Sequence, residues 1–291
     1  MRATPCSACL ALCIWLLISP APVPAGAQEI PEADGWASDA VGEAAFLSVN
    51  AVVGGLTAGL WQELSGGSFA EGLAGGVLGG SVVYAGKRVA ASSFPGAGFL
   101  GRDLAATGSS VVRNAAEARP LLDSLSLPVG PFRLYVSPRE LKATRVEVEL
   151  SDLYWTAYGL AESRLELDLS ESLSSGAPVF RSDRSLLSVG GESIHGAAAG
   201  GVIFLSPMGE GQRQETLAHE RTHVLQLDFV HQAWLRPLEA NLVRRLPHEG
   251  WRRRLDYDVL FPALRWTAGL LGPDVGVDGP IEAEAEFLGQ R

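Results

Sequence analysis

Gln214-Glu215-Thr216-Leu217-Ala218-His219-Glu220-Arg221-Thr222-His223-Val224-Leu225-Gln226 is the stretch on which the reading of this chain turns. Neither Pro nor Gly occurs between positions 212 and 236, so the segment is expected to be one continuous helix. Residues four apart stack on one helix face, which puts His219 above His223. Leu217, Ala218, Val224 and Leu225 frame them with apolar side chains, as in a helix half buried against a sheet. Two imidazoles at this spacing can hold one zinc ion. Glu220, beside the first histidine, is placed to act as general base on a metal-activated water.

Upstream, the texture is that of strands. Phe132-Arg133-Leu134-Tyr135-Val136, Val146-Glu147-Val148-Glu149-Leu150 and Leu165-Glu166-Leu167-Asp168-Leu169 alternate apolar with polar residues, which puts one face in a core and the other in water. Gly176-Ala177-Pro178 and Gly190-Gly191 read as turns, and Gly201-Val202-Ile203-Phe204-Leu205 as a last apolar strand before Pro207. Short connections predict an antiparallel β-meander.

Further upstream the chain is rich in Gly and Ala. Ala44 to Trp61 is apolar apart from Asn50 and small hydroxyls, and Phe69 to Val89 carries Gly72, Gly75, Gly76, Gly79 and Gly80. Gly75 and Gly79, like Gly76 and Gly80, are one helical turn apart and allow close backbone approach. Ser65-Gly66-Gly67-Ser68 would turn the chain between two helices. Residues 44–89 are therefore either a membrane-associated hairpin or two glycine-packed helices in a soluble domain. Charges at their ends, and a second piece shorter than about 20 apolar residues, favour the latter. Asp103 to Leu125 reads as a third helix and its exit, closed by Pro128 and Gly130.

Residues 1–27 read as a signal peptide: Arg2, an apolar run from Leu10 to Ile18, then Ala25-Gly26-Ala27 as a cleavage site. All three cysteines, Cys6, Cys9 and Cys13, fall within it. An exported chain without cysteine, in a bacterial periplasm, cell envelope or medium, is the expectation. The formal charge of −10 argues against a nucleic-acid partner, which requires a basic footprint. No phosphate-binding loop, dinucleotide fingerprint or nucleophile elbow is present. The organisation is thus a signal peptide (1–27), a glycine- and alanine-rich helical region (28–125) and an α+β metal-binding domain (126–291). The basic run around Arg244-Arg245 and Arg252-Arg253-Arg254, with Trp251, is a solvated face or a lipid contact.

A catalytic zinc keeps one position open and takes three protein ligands. Six residues after His223 stands Phe229, with no glycine between, which excludes one ligand arrangement; His231, eight residues on, is expected to face away. Pro280-Ile281-Glu282-Ala283-Glu284-Ala285-Glu286 offers carboxylates, with Pro280 suited to a first helical turn. Together with His219-Glu220-x-x-His223, this segment resembles the gluzincin family of zinc metallopeptidases, whose third ligand is a glutamate in the pattern E-x-x-[small]-[D/E]. The resemblance implies a zincin-like arrangement of C-terminal helices, Glu282 as third ligand and Glu286 orienting a histidine from behind, with Glu284 as the alternative ligand. The string from Ala218 to Gln226 is also similar to a bacterial subgroup with H-E-x-T-H-x-x-Q around its zinc helix.

The expected activity is hydrolysis of a peptide or protein substrate, with residues 201–205 as the edge strand that pairs with it. Tyr257, His231 and His195 are candidates for stabilising the oxyanion. The alternative function is a membrane-associated envelope protein with a structural or vestigial zinc site and no peptidase activity.

Overall fold

The computed structural model describes residues 35–140, 142–185, 188–189, 192–193, 195–237 and 280–290. The expected signal peptide, the arginine-rich run and Tyr257 lie outside these residues. The fold is α+β.

The described residues begin with three helices: α1 (Gly35–Leu64), α2 (Phe69–Ala90) and α3 (Ala97–Ala116). The turn between α1 and α2 uses Gly66 at φ +86°, a backbone conformation that side chains resist. Ser68 caps α2, its hydroxyl accepting from the Glu71 backbone N–H at 3.4 Å. The glycines of α2 serve two faces. A Cβ at Gly76 or Gly80 would overlap the carbonyl oxygens of Gly54 and Asn50 on α1. On the other side, a Cβ at Gly79 or Gly86 would stand 2.8 and 2.7 Å from the carbonyl oxygens of Gly108 and Gly101 on α3. The middle helix is therefore in backbone contact on both sides, which only glycine permits here.

Next comes a three-stranded antiparallel meander of β1 (Leu125–Val129), β2 (Phe132–Ser137) and β3 (Lys142–Val148), with Leu127 opposite Leu134 and Leu134 opposite Val146. The third strand stops at Val148, and α4 (Leu150–Ala161) follows. The expected strand from Leu165 to Leu169 is shorter, β4 (Leu165–Leu167). Asp168 ends it by capping α5 (Leu169–Ser175), accepting from the Glu171 N–H at 3.0 Å.

The second sheet departs from a pure meander. After β5 (Val179–Ser182), the short hairpin β6 (Ser188–Val189) and β7 (Glu192–Ser193) leads to β8 (Gly196–Ala199) and β9 (Val202–Leu205). The order is β4-β5-β9-β8, and β5 runs parallel to β9. Residues 202–205 are consequently interior, and β8 is an edge of the sheet. The composition explains this: Val202, Ile203, Phe204 and Leu205 are all buried and need cover on both faces, whereas β8 is only Gly and Ala.

Helix α6 (Glu210–Val230) runs on into one π-helical turn (His231–Leu235), and α7 (Pro280–Gly289) packs on α6. Leu217 and Val224 of α6 meet Val179, Ile203 and Leu205 of the sheet. Leu225 meets Ala90 and Ala105, and Phe229 joins Ala58, Trp61, Val83 and Val112. One helix thus seals the sheet on one side and the glycine-packed helices on the other. Full burial of a side chain such as Leu217 is worth about 1.5–3 kcal/mol.

Candidate metal centre

His219 and His223 project from α6 one turn apart, their ring centroids 4.6 Å apart and nearly perpendicular. Their Nε2 atoms are 3.0 Å from each other. Glu282, in the first turn of α7, reaches both: Oε1 is 3.0 Å from His219 Nε2 and Oε2 is 3.0 Å from His223 Nε2. Ala285 and Leu288 are fully buried on the docking face of α7, and Gly289 lies against His219 and the Glu215 carbonyl. Phe287 packs on Phe46 of α1.

The donor set fits zinc. Ligand atoms about 2.0–2.1 Å from a tetrahedral ion lie roughly 3.3 Å from one another, close to the separations found here. All three side chains are half-buried, so the point on which they converge is open to solvent on one side.

The electrostatics follow from these contacts. Hydrogen bonding to His219, and then to His223, holds the Glu282 carboxyl at about 2. Burial disfavours a charged His223, but its bond to Glu282 and the nearby Glu220 outweigh this and raise its pKa. Burial raises the Glu220 carboxyl, against the pull of His223 and His219. Glu220 is 5% exposed and accepts a hydrogen bond from the Ala198 backbone on β8. A Cβ at Gly196 would stand 2.7 Å from Glu220 Oε1, so glycine there leaves room for the carboxylate.

The other candidates fall elsewhere. Glu286 is exposed and accepts from Gln290 at 3.4 Å; it does not orient a histidine, because it falls beside the buried face of α7 toward solvent. That place is taken by Gln226, 2.8 Å from His223 Nδ1. Glu284 is buried among α1, α2 and α6, where it contacts Asn50, Lys87 and Gln226 respectively. His195 is exposed just before β8, its carbonyl accepting from the Ser206 N–H at 2.8 Å. His231 is buried beside Glu149 and Asp228, which Arg133 binds together. This second acidic group is an ion-pair network linking α6 to the meander. Asn50 and Lys87 are the participants that motif reading missed; Gln226 stood in the H-E-x-T-H-x-x-Q string without an assigned role. The available signal was a lone amide in the apolar run of α1 and a lysine among the glycines of α2.

Comparison with protein-family models, with curated proteins and with solved structures finds no match. Fold and site define an α+β chain with two histidines and one glutamate converging beside a buried glutamate.

Proposed function

We propose that this protein is an exported zinc-dependent peptidase, with His219, His223 and Glu282 as metal ligands and Glu220 as general base. The convergence of His219, His223 and Glu282, with 3.0 Å between each imidazole nitrogen and the carboxylate, carries the reading. When bound, zinc supplies Lewis acidity that acidifies water and polarises a carbonyl. Glu220, its carboxyl raised by burial, takes the proton from the attacking water and passes it to the leaving amine. Strand β8, at the sheet edge beside Glu220, is the place for an extended peptide to add as a further strand. One zinc per chain is expected by elemental analysis, lost in His223→Ala and Glu282→Ala. Glu220→Gln should keep the zinc and lose at least about 100-fold in peptide hydrolysis. A native protein that takes up no zinc, or a Glu220→Gln variant of full activity, refutes the proposal.

A second reading, a membrane-associated protein with a structural zinc site, draws on α1. Its segment Ala40–Leu64 is long and apolar enough to cross a membrane, at a mean hydropathy of 1.5, and Val41, Val49, Val52 and Leu56 are exposed on it. Flotation of the purified protein with anionic vesicles, coupled with zinc that supports no hydrolysis, would favour that reading.

A further inference from the structure

We infer that Glu284, acting through Gln226, holds His223 in the tautomer that can bind a metal, and that Lys87 and Asn50 of the glycine-packed helices hold Glu284 in place. The inference rests on the zinc reading above and adds four positioning residues to it. The direction of each hydrogen bond follows from chemistry. The Lys87 ammonium can only donate, and it does so to Glu284 Oε2 at 2.6 Å and to Asn50 Oδ1 at 2.9 Å. With its oxygen engaged, Asn50 turns its amide nitrogen to Glu284 Oε1 at 2.6 Å and to the Phe46 carbonyl at 2.8 Å. Glu284, facing a lysine and buried with it, is a carboxylate and can only accept.

The end of Gln226 that meets Glu284 must therefore be its NH2, and Nε2 stands 2.8 Å from Glu284 Oε2. The other end, Oε1, faces His223 Nδ1 at 2.8 Å and accepts from it. A proton on Nδ1 leaves the lone pair of the neutral ring on Nε2, the atom that faces Glu282 and His219. Were Gln226 reversed, its NH2 would meet Nδ1. The ring would then carry its proton on Nε2, where a metal must bind. Lys87, Asn50, Glu284 and Gln226 are buried, which shields the bonds among them from water, and the chain reaches the half-buried ring of His223 only at its end.

It also ties α7 to the N-terminal helices, since Glu284 lies two residues beyond Glu282. The glycine contacts that bring α2 against α1 thereby place Lys87 and Asn50 together beneath the metal site. The helical region works as the backing of that site.

The test compares the full-length mature protein with Glu284→Gln, which removes the carboxylate that dictates the orientation of Gln226. A Lys87→Met, Glu284→Leu double variant removes both charges and leaves no lone buried ion. Zinc affinity is measured by chelator competition, and the imidazole proton of His223 is followed by NMR in zinc-loaded protein. Zinc binding weaker by about 10–100-fold in either variant, with faster exchange of the Nδ1 proton, is expected. Wild-type affinity and an unchanged Nδ1 proton in two folded variants would overturn the inference and leave the zinc reading intact. If the wild-type chain binds no zinc, the peptidase reading fails by itself. The side-chain amide protons of Gln226 in metal-free protein then decide: protection lost in the double variant supports the relay, and no protection in the wild type overturns it.

Discussion

Substituting Gly80 by Ala adds one methyl group where α1 and α2 are in direct backbone contact. An ideal Cβ there overlaps the Asn50 carbonyl oxygen, stands 2.8 Å from the Asn50 carbonyl carbon and 3.1 Å from Ala51 Cα. These are backbone atoms of α1, so no side chain can swing aside. The helices must part by roughly 1 Å, an overpacking that costs about 1–3 kcal/mol. Helix propensity works the other way, since Ala in a helix interior is better than Gly by about 0.5–1 kcal/mol. The net expectation is a loss of roughly 1–2 kcal/mol, or about 2–8 °C in Tm. Gly211→Ala is the control: it lies in the first turn of α6 and its Cβ meets nothing within 4 Å, so the same substitution should be neutral or raise Tm. Thermal melts of both variants followed by circular dichroism measure this. Moving α1 at Asn50 should also weaken zinc binding, because Asn50 Nδ2 bonds Glu284. A Gly80→Ala protein as stable as the wild type, beside a stabilised Gly211→Ala, would refute the close contact of α1 with α2.

Asp152 should impose a pH dependence on stability. Burial, with Glu149 adding to it and Arg102 opposing, raises its carboxyl to about 7. The folded chain then holds this proton more tightly than the unfolded one. The associated stability is complete below pH 4 and is lost as pH rises to about 7, on the order of a few kcal/mol at about 1.4 kcal/mol per unit. Urea midpoints of Asp152→Asn should match the wild type near pH 4 and exceed it at pH 8; parallel profiles would contradict this. Arg133 is fully buried between Glu149 and Asp228. Arg133→Met strands both carboxylates and should cost about 3–5 kcal/mol in urea denaturation, a loss that Glu149→Gln in the same chain should partly restore.

What was legible in the sequence is what short-range geometry dictates. His219 and His223 share a face because an α-helix repeats every 3.6 residues, and no Pro or Gly occurs in α6 beyond Gly211 in its first turn. Gly66 and Ser68 mark the α1–α2 turn by their own backbone and capping chemistry. Alternation located β2 and the end of β3, although Glu149 and Leu150 turned out to open α4, and continuous apolar character located β9. The same local rules say nothing about which strand lies beside which. Residues 202–205 became an interior strand parallel to β5 only because both of their faces needed cover.

The roles along α7 were likewise decided by docking. Glu282, Glu284 and Glu286 are equivalent by composition. The buried face formed by Ala285, Leu288 and Gly289 turns the first toward the imidazoles, the second toward Lys87 and the third into water. The sequence by itself determined the pair of histidines, the adjacent glutamate and the glycine spacing, all within a few helical turns. The resemblance in sequence named Glu282 with Glu284 as the alternative; the tertiary structure decided which of the carboxylates faces the imidazoles, and it alone brought together Lys87, Asn50, Glu284 and Gln226. Those contacts join segments far apart in the chain, and only the packing of α7 against α6, α1 and α2 brings them within hydrogen-bonding distance.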